Sequence, residues 1–110
     1  MSDHGKSSAR LILCSCANQE EARQIAVKLV EERLAGCASA LPGVESIYRW
    51  QGAIERSTEV LLFIKTDADH LERVEELVAA SHSYDVPEFL VLEIAGGSAS
   101  YLTWLASALK

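Results

Sequence analysis

No stretch of this 110-residue sequence approaches the roughly 18 apolar residues that a membrane-spanning helix requires, so a helical span is excluded. Met1 to Ser8 is polar and lacks the apolar segment of a secretory leader, which leads us to expect a cytoplasmic protein. Those eight residues read as a flexible tail, and residues 9–110 as one domain. Cysteine is scarce and odd in number: Cys14, Cys16 and Cys37. Without an export signal a disulfide framework is not expected, and the thiols are read as reduced. Positive charge is in deficit, with ten Lys+Arg against 16 Asp+Glu and a formal net charge of -6. Such a field repels phosphate backbones and anionic lipid, which disfavours nucleic acid or a membrane surface as partner and suits cations. Missing too are a nucleophile elbow, a phosphate-cradling glycine loop and an H-E-x-x-H helix, and Gly96-Gly97 is too short to stand for one. No catalytic set can be assembled, so neither an enzyme nor an organic cofactor is expected.

What is present is a folding pattern. A composition 49% hydrophobic and 24% charged is that of a packed globule, and the length allows one core. Arg10 to Cys16 is a short apolar strand. Asn18 is a suitable N-cap, and Glu21 three residues on completes a capping-box pattern. Ile25, Ala26, Leu29, Val30 and Leu34 then recur at helical spacing, giving a helix over about 19–35 with Gly36 as its positive-φ terminator. Cys37 to Trp50 is a long strand bent at Pro42-Gly43. Gln51-Gly52 makes a hairpin turn, and Ala53 to Thr66 returns as the next strand. Asp67 or Asp69 caps a second helix whose stripe is Leu71, Val74, Leu77 and Val78, ending near Ser81. The loop His82 to Glu88 leads to a strand over Phe89–Ala95. Ser98 or Ser100 then starts a terminal helix with Tyr101, Leu102, Leu105 and Leu109 at helical spacing.

The order β-α-β-β-α-β-α is an α+β, ferredoxin-like sandwich with an extra C-terminal helix. In that plan two helices cover one face of a four-stranded sheet. Val60 to Ile64 is apolar at every position, which requires cover on both faces, so self-association is expected.

Two groups of residues could carry chemistry. Cys14 and Cys16, two apart on a strand, project from one face, but they are not a C-x-x-C motif and no second pair completes a zinc site. Free cysteines in apolar strands are usually small core hydrophobes; we read Cys16 and Cys37 that way and keep Cys14 as a candidate. His82, Tyr84, Asp85 and Glu88 crowd into one loop, and imidazole with carboxylate suits zinc or copper. The competing reading is a polar loop in which Pro87 sets the entry to the last strand and His82 caps the carbonyls of the second helix. His70 and His4 read as incidental. Tyr48, Trp50 and Trp104 form either a ligand-stacking surface or the seal of a core or subunit interface.

Taken together, several segments give the chain a family likeness. These are the apolar strand ending in Cys14; Leu34-Ala35-Gly36-Cys37-Ala38 with Pro42-Gly43; Ser46-Ile47-Tyr48-Arg49-Trp50-Gln51-Gly52; and His82-Ser83-Tyr84-Asp85-Val86-Pro87-Glu88 with Tyr101-Leu102-Thr103-Trp104-Leu105. In their order and spacing, from Arg10 to Lys110, the sequence resembles the CutA family of divalent-cation tolerance proteins. The resemblance implies a ferredoxin-like subunit in a tight homotrimer, with uncovered sheet faces meeting at the centre. It also implies Cu(II) or another divalent cation bound by Cys14 and a histidine at the end of the second helix, here His82. Some members have a second histidine where this chain has Ser81, and a proline is usual where it has Ser83. The expected metal residues are thus His82 and Cys14, with Asp85 and Glu88 as loop carboxylates, and Cu(II) is favoured over Mg(II). The alternative is a non-catalytic trimeric interaction or signalling module, taking a small ligand or partner in inter-subunit clefts lined by Trp50, Lys65, Tyr84 and Glu88.

Overall fold

The computed structural model describes residues 7–110. Residues 1–6 of the expected tail lie outside the described residues, while Ser8 is tied to the domain through its carbonyl, which accepts from Ala68 N–H. The elements are β1 (Ala9–Cys16), α1 (Gln19–Glu31), β2 (Cys37–Trp50), β3 (Ala53–Asp67), a 3-10 turn (Ala68–His70), α2 (Leu71–Ser81), β4 (Leu90–Glu93) and α3 (Ala99–Ala108). The strands form one antiparallel sheet in the order β2-β3-β1-β4. The two strands of each β-α-β unit therefore flank a strand of the other unit, which is the ferredoxin-like arrangement.

The long β2–β3 ribbon is built by two local devices. Between Leu41 and Val44 two residues of β2, Pro42 and Gly43, face the single residue Val60 of β3, a bulge that absorbs the proline. At the tip Gln51 and Gly52 both take positive φ (49° and 83°), the geometry whose twist matches a two-residue hairpin.

Helix α1 is shorter than its apolar periodicity implies. Its chain reverses at Arg33, which takes the positive φ (59°) expected of Gly36, and the N–H groups of Leu34 and Ala35 turn back to the Leu29 carbonyl. Arg33 is held there by guanidinium bonds to the Ser107 and Ala108 carbonyls at the end of α3, where a cation meets the negative end of the helix. Gly36 serves close approach instead: a Cβ there would stand 2.6 Å from Leu105 Cδ1. Strand β4 is also shorter than expected, four residues rather than seven.

The core lies between the helices and one sheet face. Ala22, Ile25 and Leu29 of α1 and Val74 and Val78 of α2 pack with Ile12, Leu62 and Ile64, all essentially without exposure. Strand alternation sends Leu11, Leu13, Leu61 and Phe63 to the opposite face, away from α1 and α2, together with Leu41, Leu90 and Leu92. Leu105 of α3 and Leu109 just beyond its end are buried, whereas Tyr101 faces outward. His70 is buried rather than incidental, its ring held between the Asp67 carboxylate and the Lys110 carbonyl.

Candidate metal centre

Cys14 and Cys16 point to the helix-covered face and are fully buried. Helix α2 runs toward the same end of β1, and His82 follows it directly. Its backbone N–H caps the helix on the Val78 carbonyl, while its ring turns inward and is completely buried. Nε2 lies 2.7 Å from the Ser15 carbonyl, and Nδ1 accepts the Tyr84 N–H at 3.1 Å. A carbonyl can only accept and an amide N–H can only donate, so the neutral ring carries its proton on Nε2. One imidazole thus pins the loop to β1, and both thiols and a ring nitrogen lie within 4.8 Å of one another.

Glu21 supports this corner. The capping box closes one residue early: Asn18 Oδ1 accepts from Glu21 N–H, and Glu21 accepts from Ala17 N–H rather than from Asn18. Its second oxygen accepts from Ser83 N–H at 2.7 Å, and the carboxylate stands 3.8 Å from His82 Nδ1. Burial opposes ionisation of Glu21, but the Ala17 and Ser83 hydrogen bonds and the nearby imidazole outweigh it and hold the carboxyl below its usual range. The Cys14 thiol is pushed well upward by its hydrogen bond to Cys16, by burial, and by the neighbouring Cys16, Glu88 and Glu21 charges. In the free pocket the Cys14 thiol is therefore protonated.

The residues expected in one site are divided between two. Cys14 and His82 meet, joined by Cys16, which packs in the core and also faces the imidazole. Its partnership was legible in the two-residue spacing, but the arrival of His82 on that face was not. Asp85 and Glu88 do not join the thiols. The loop crosses the sheet edge, and Glu88 accepts from Ser15 Oγ (2.9 Å), a side chain of the opposite face. There Asp85 and Glu88 line a groove of about 560 Å³ with Tyr48, Trp50, Glu59 and Tyr84. Glu59, only 7% exposed, accepts from Tyr84 Oη at 2.7 Å. Burial and that carboxylate push the Tyr84 phenol upward. Glu59 escaped notice in the sequence because it precedes an apolar run without any motif.

Lys65 is absent from the groove lining. It lies elsewhere on the open face, with Nζ 3.6 Å from Cys37 Sγ. Cys37 is accordingly not a core residue but a half-buried thiol of the open face.

The donor chemistry fits a transition metal. Two thiols and an imidazole are good ligands for thiophilic and borderline ions. Cys14, Cys16 and His82 would hold such an ion directly, the Ser15 carbonyl and Tyr84 N–H orienting the ring and Glu21 fastening the loop that carries it through the Ser83 N–H.

Fold and pocket together define a ferredoxin-like α+β protein with a buried thiol–imidazole cluster. Residues 10–108 match the family model described as "CutA1 divalent ion tolerance protein". The chain belongs to that family. It is 41% identical over 110 residues, spanning all of both chains, to the divalent-cation tolerance protein CutA of Pectobacterium atrosepticum. It is 46% identical over 95 residues to the Thermus thermophilus protein of the same name, covering 86% of this chain and 92% of that one. The crystal structure of CutA from Xylella fastidiosa superposes with a TM-score of 0.92 at 39% identity, covering 94% of this chain and all of that one. The Pectobacterium and Thermus relatives are named as tolerance proteins rather than enzymes. Relatives also include a protein called chloroplastic in Arabidopsis thaliana and one called periplasmic in Archaeoglobus fulgidus. Among the described residues no helix is long and apolar enough to cross a membrane.

Proposed function

We propose that this protein is a non-catalytic, cytoplasmic homotrimer that binds a transition-metal cation, with copper the expected ion, as part of tolerance to metal ions. The observation that carries the reading is the convergence of Cys14, Cys16 and His82 within 4.8 Å in a buried corner. Mg(II) is disfavoured because it asks for oxygen ligands in near-octahedral array, and none of the three supplies one. The trimer is supported by the apolar open face, whose leucines and Phe63 need cover that the chain's own helices do not give. Copper titration of the wild type and of His82→Ala, both carrying His4→Ala so that the tail imidazole is removed, tests the site. Stoichiometric binding lost in His82→Ala is the expected result, and equal affinity in the two would end the assignment.

A second reading, a trimeric module that takes a small ligand, is favoured by the groove in which Trp50, Tyr84 and Glu88 meet the buried Glu59 carboxylate. A thermal-shift screen separates the readings, because whatever binds only the native state raises its apparent stability. A rise with metals that His82→Ala abolishes supports the first, and a rise with organic compounds that Trp50→Ala abolishes supports the second.

A further inference from the structure

Resting on the metal-binding reading above, we propose that the Cys14–Cys16–His82 pocket selects monovalent copper over divalent ions, and that Cys16 is the ligand that confers this selectivity. A site of Cys14 and His82 alone would offer one sulfur and one nitrogen, a borderline pair that divalent copper and zinc accept readily. Cys16 doubles the sulfur, and thiolate-rich sets favour the softest ion available. No carboxylate joins the cluster to offset this. Asp85 and Glu88 stand on the groove side of the loop, and the Glu21 oxygens are engaged by the Ala17 and Ser83 N–H groups.

Ligand number points the same way. Structural zinc almost always takes four ligands, and calcium and magnesium take six or more oxygens or waters. Among the described residues the cluster has three members and no fourth cysteine, histidine or carboxylate. All three side chains are fully buried, which leaves little access for the water that would complete a divalent ion's shell. Monovalent copper is satisfied by two or three soft donors. Binding is also balanced in protons: each ligating thiol gives its proton to solvent, and the imidazole stays neutral by exchanging one of its two present hydrogen bonds for the metal.

The thiols are protected from the competing reaction, disulfide formation. Residues two apart on an extended strand have Cα atoms about 6.7 Å apart with nearly parallel side chains, at the upper limit for a disulfide. Both lie inside β1, which is paired to β3 through Cys14↔Leu62 and Cys16↔Val60. Closing the bond would require that ladder to open, so the pair persists as a dithiol.

The test is anaerobic competition between the intact protein and the chromophoric chelator bicinchoninate for Cu(I), with parallel Zn(II) and Cu(II) titrations against chelators of known affinity. Wild type, Cys16→Ala, Cys16→Ser and Cys37→Ala are compared, with near-UV circular dichroism confirming each fold. We expect one Cu(I) per chain, held more tightly than either divalent ion. Both Cys16 variants should lose on the order of a hundredfold in Cu(I) affinity or more while keeping Cu(II) within about tenfold, and Cys37→Ala should match wild type. X-ray absorption of the wild-type Cu(I) form, which needs no variant, should show two sulfur neighbours. Unchanged Cu(I) affinity in the Cys16 variants, one sulfur neighbour, or tighter Zn(II) than Cu(I) would overturn the inference and leave the metal-binding reading standing. Retention of no metal at all by the wild type would overturn both.

Discussion

The two faces of the sheet are set by alternate residues of the same strands, and they end in different surroundings. On one, Ile12, Leu62 and Ile64 are sealed by α1 and α2. On the other, Leu11, Leu13, Leu61 and Phe63 are half-buried, and Leu41, Leu90 and Leu92 are 51%, 52% and 41% exposed. The cysteines follow the same division: Cys14 and Cys16 meet His82 in the covered layer, whereas Cys37 lies beside Lys65 on the open one. Apolar character in a strand thus announces that a face will be covered, without saying by what. Where the chain supplies the cover, a rigid pocket can be built under it; where it does not, a second chain is the natural cover.

The largest effect should come from placing a charge on the open face. Phe63→Glu is expected to convert the proposed trimer, three times the 12.0 kDa chain, to single chains in light scattering, because a carboxylate buried without a partner costs several kcal/mol. A persisting trimer would show that the faces do not differ as argued. Leu62→Ala, one residue away and facing the helices, should instead cost about 2–5 kcal/mol in denaturant unfolding without changing the assembly. In the Phe63→Glu monomer, a thiol reagent should then modify one cysteine per chain quickly and two slowly. Fast reaction of all three would place the Cys14–Cys16 pair outside the sealed layer.

How far the sequence reveals this division depends on the range of the interaction. The bounds of β2, the Pro42-Gly43 bulge and the Gln51-Gly52 turn are visible in it because each is decided by neighbouring backbone angles. The end of α1 is not, since Arg33 holds its positive φ through bonds to the carbonyls of α3, some 75 residues away. The thiol pair is visible as a two-residue spacing. The division of the His82–Glu88 loop is not, because only the folded sheet edge turns His82 to one face and Glu88 to the other. Lys65 and Trp50 were expected to share a cleft, yet Lys65 pairs with Cys37 and Trp50 with Ala53, at opposite ends of one ribbon. One chain alone does not bring them together, so the inter-subunit cleft expected of them rests on the proposed assembly.

The smallest expected effect concerns acid, and it separates the faces by pH. Glu21 fastens the loop to the covered side by accepting the Ser83 and Ala17 N–H groups, and its carboxyl is held below the usual range. A depressed folded-state pKa means that the unfolded chain takes up the proton first. The stabilisation is therefore complete above the ordinary carboxylate range and is lost as pH falls through the lower, folded-state value. Cys14 and Tyr84 are shifted upward, so their contributions are complete at neutral pH and are lost only on the alkaline side. Glu21→Gln keeps one acceptor oxygen, as in a Gln capping box, but carries no charge, and should cost about 1 kcal/mol at neutral pH. Its stability should then fall less than that of the wild type between neutral pH and about pH 4, the region where carboxylates titrate. Denaturant unfolding of both proteins at the two pH values measures the difference. Parallel losses would mean that the acid response lies in other carboxylates, and that the loop is fastened to the covered side by His82 alone.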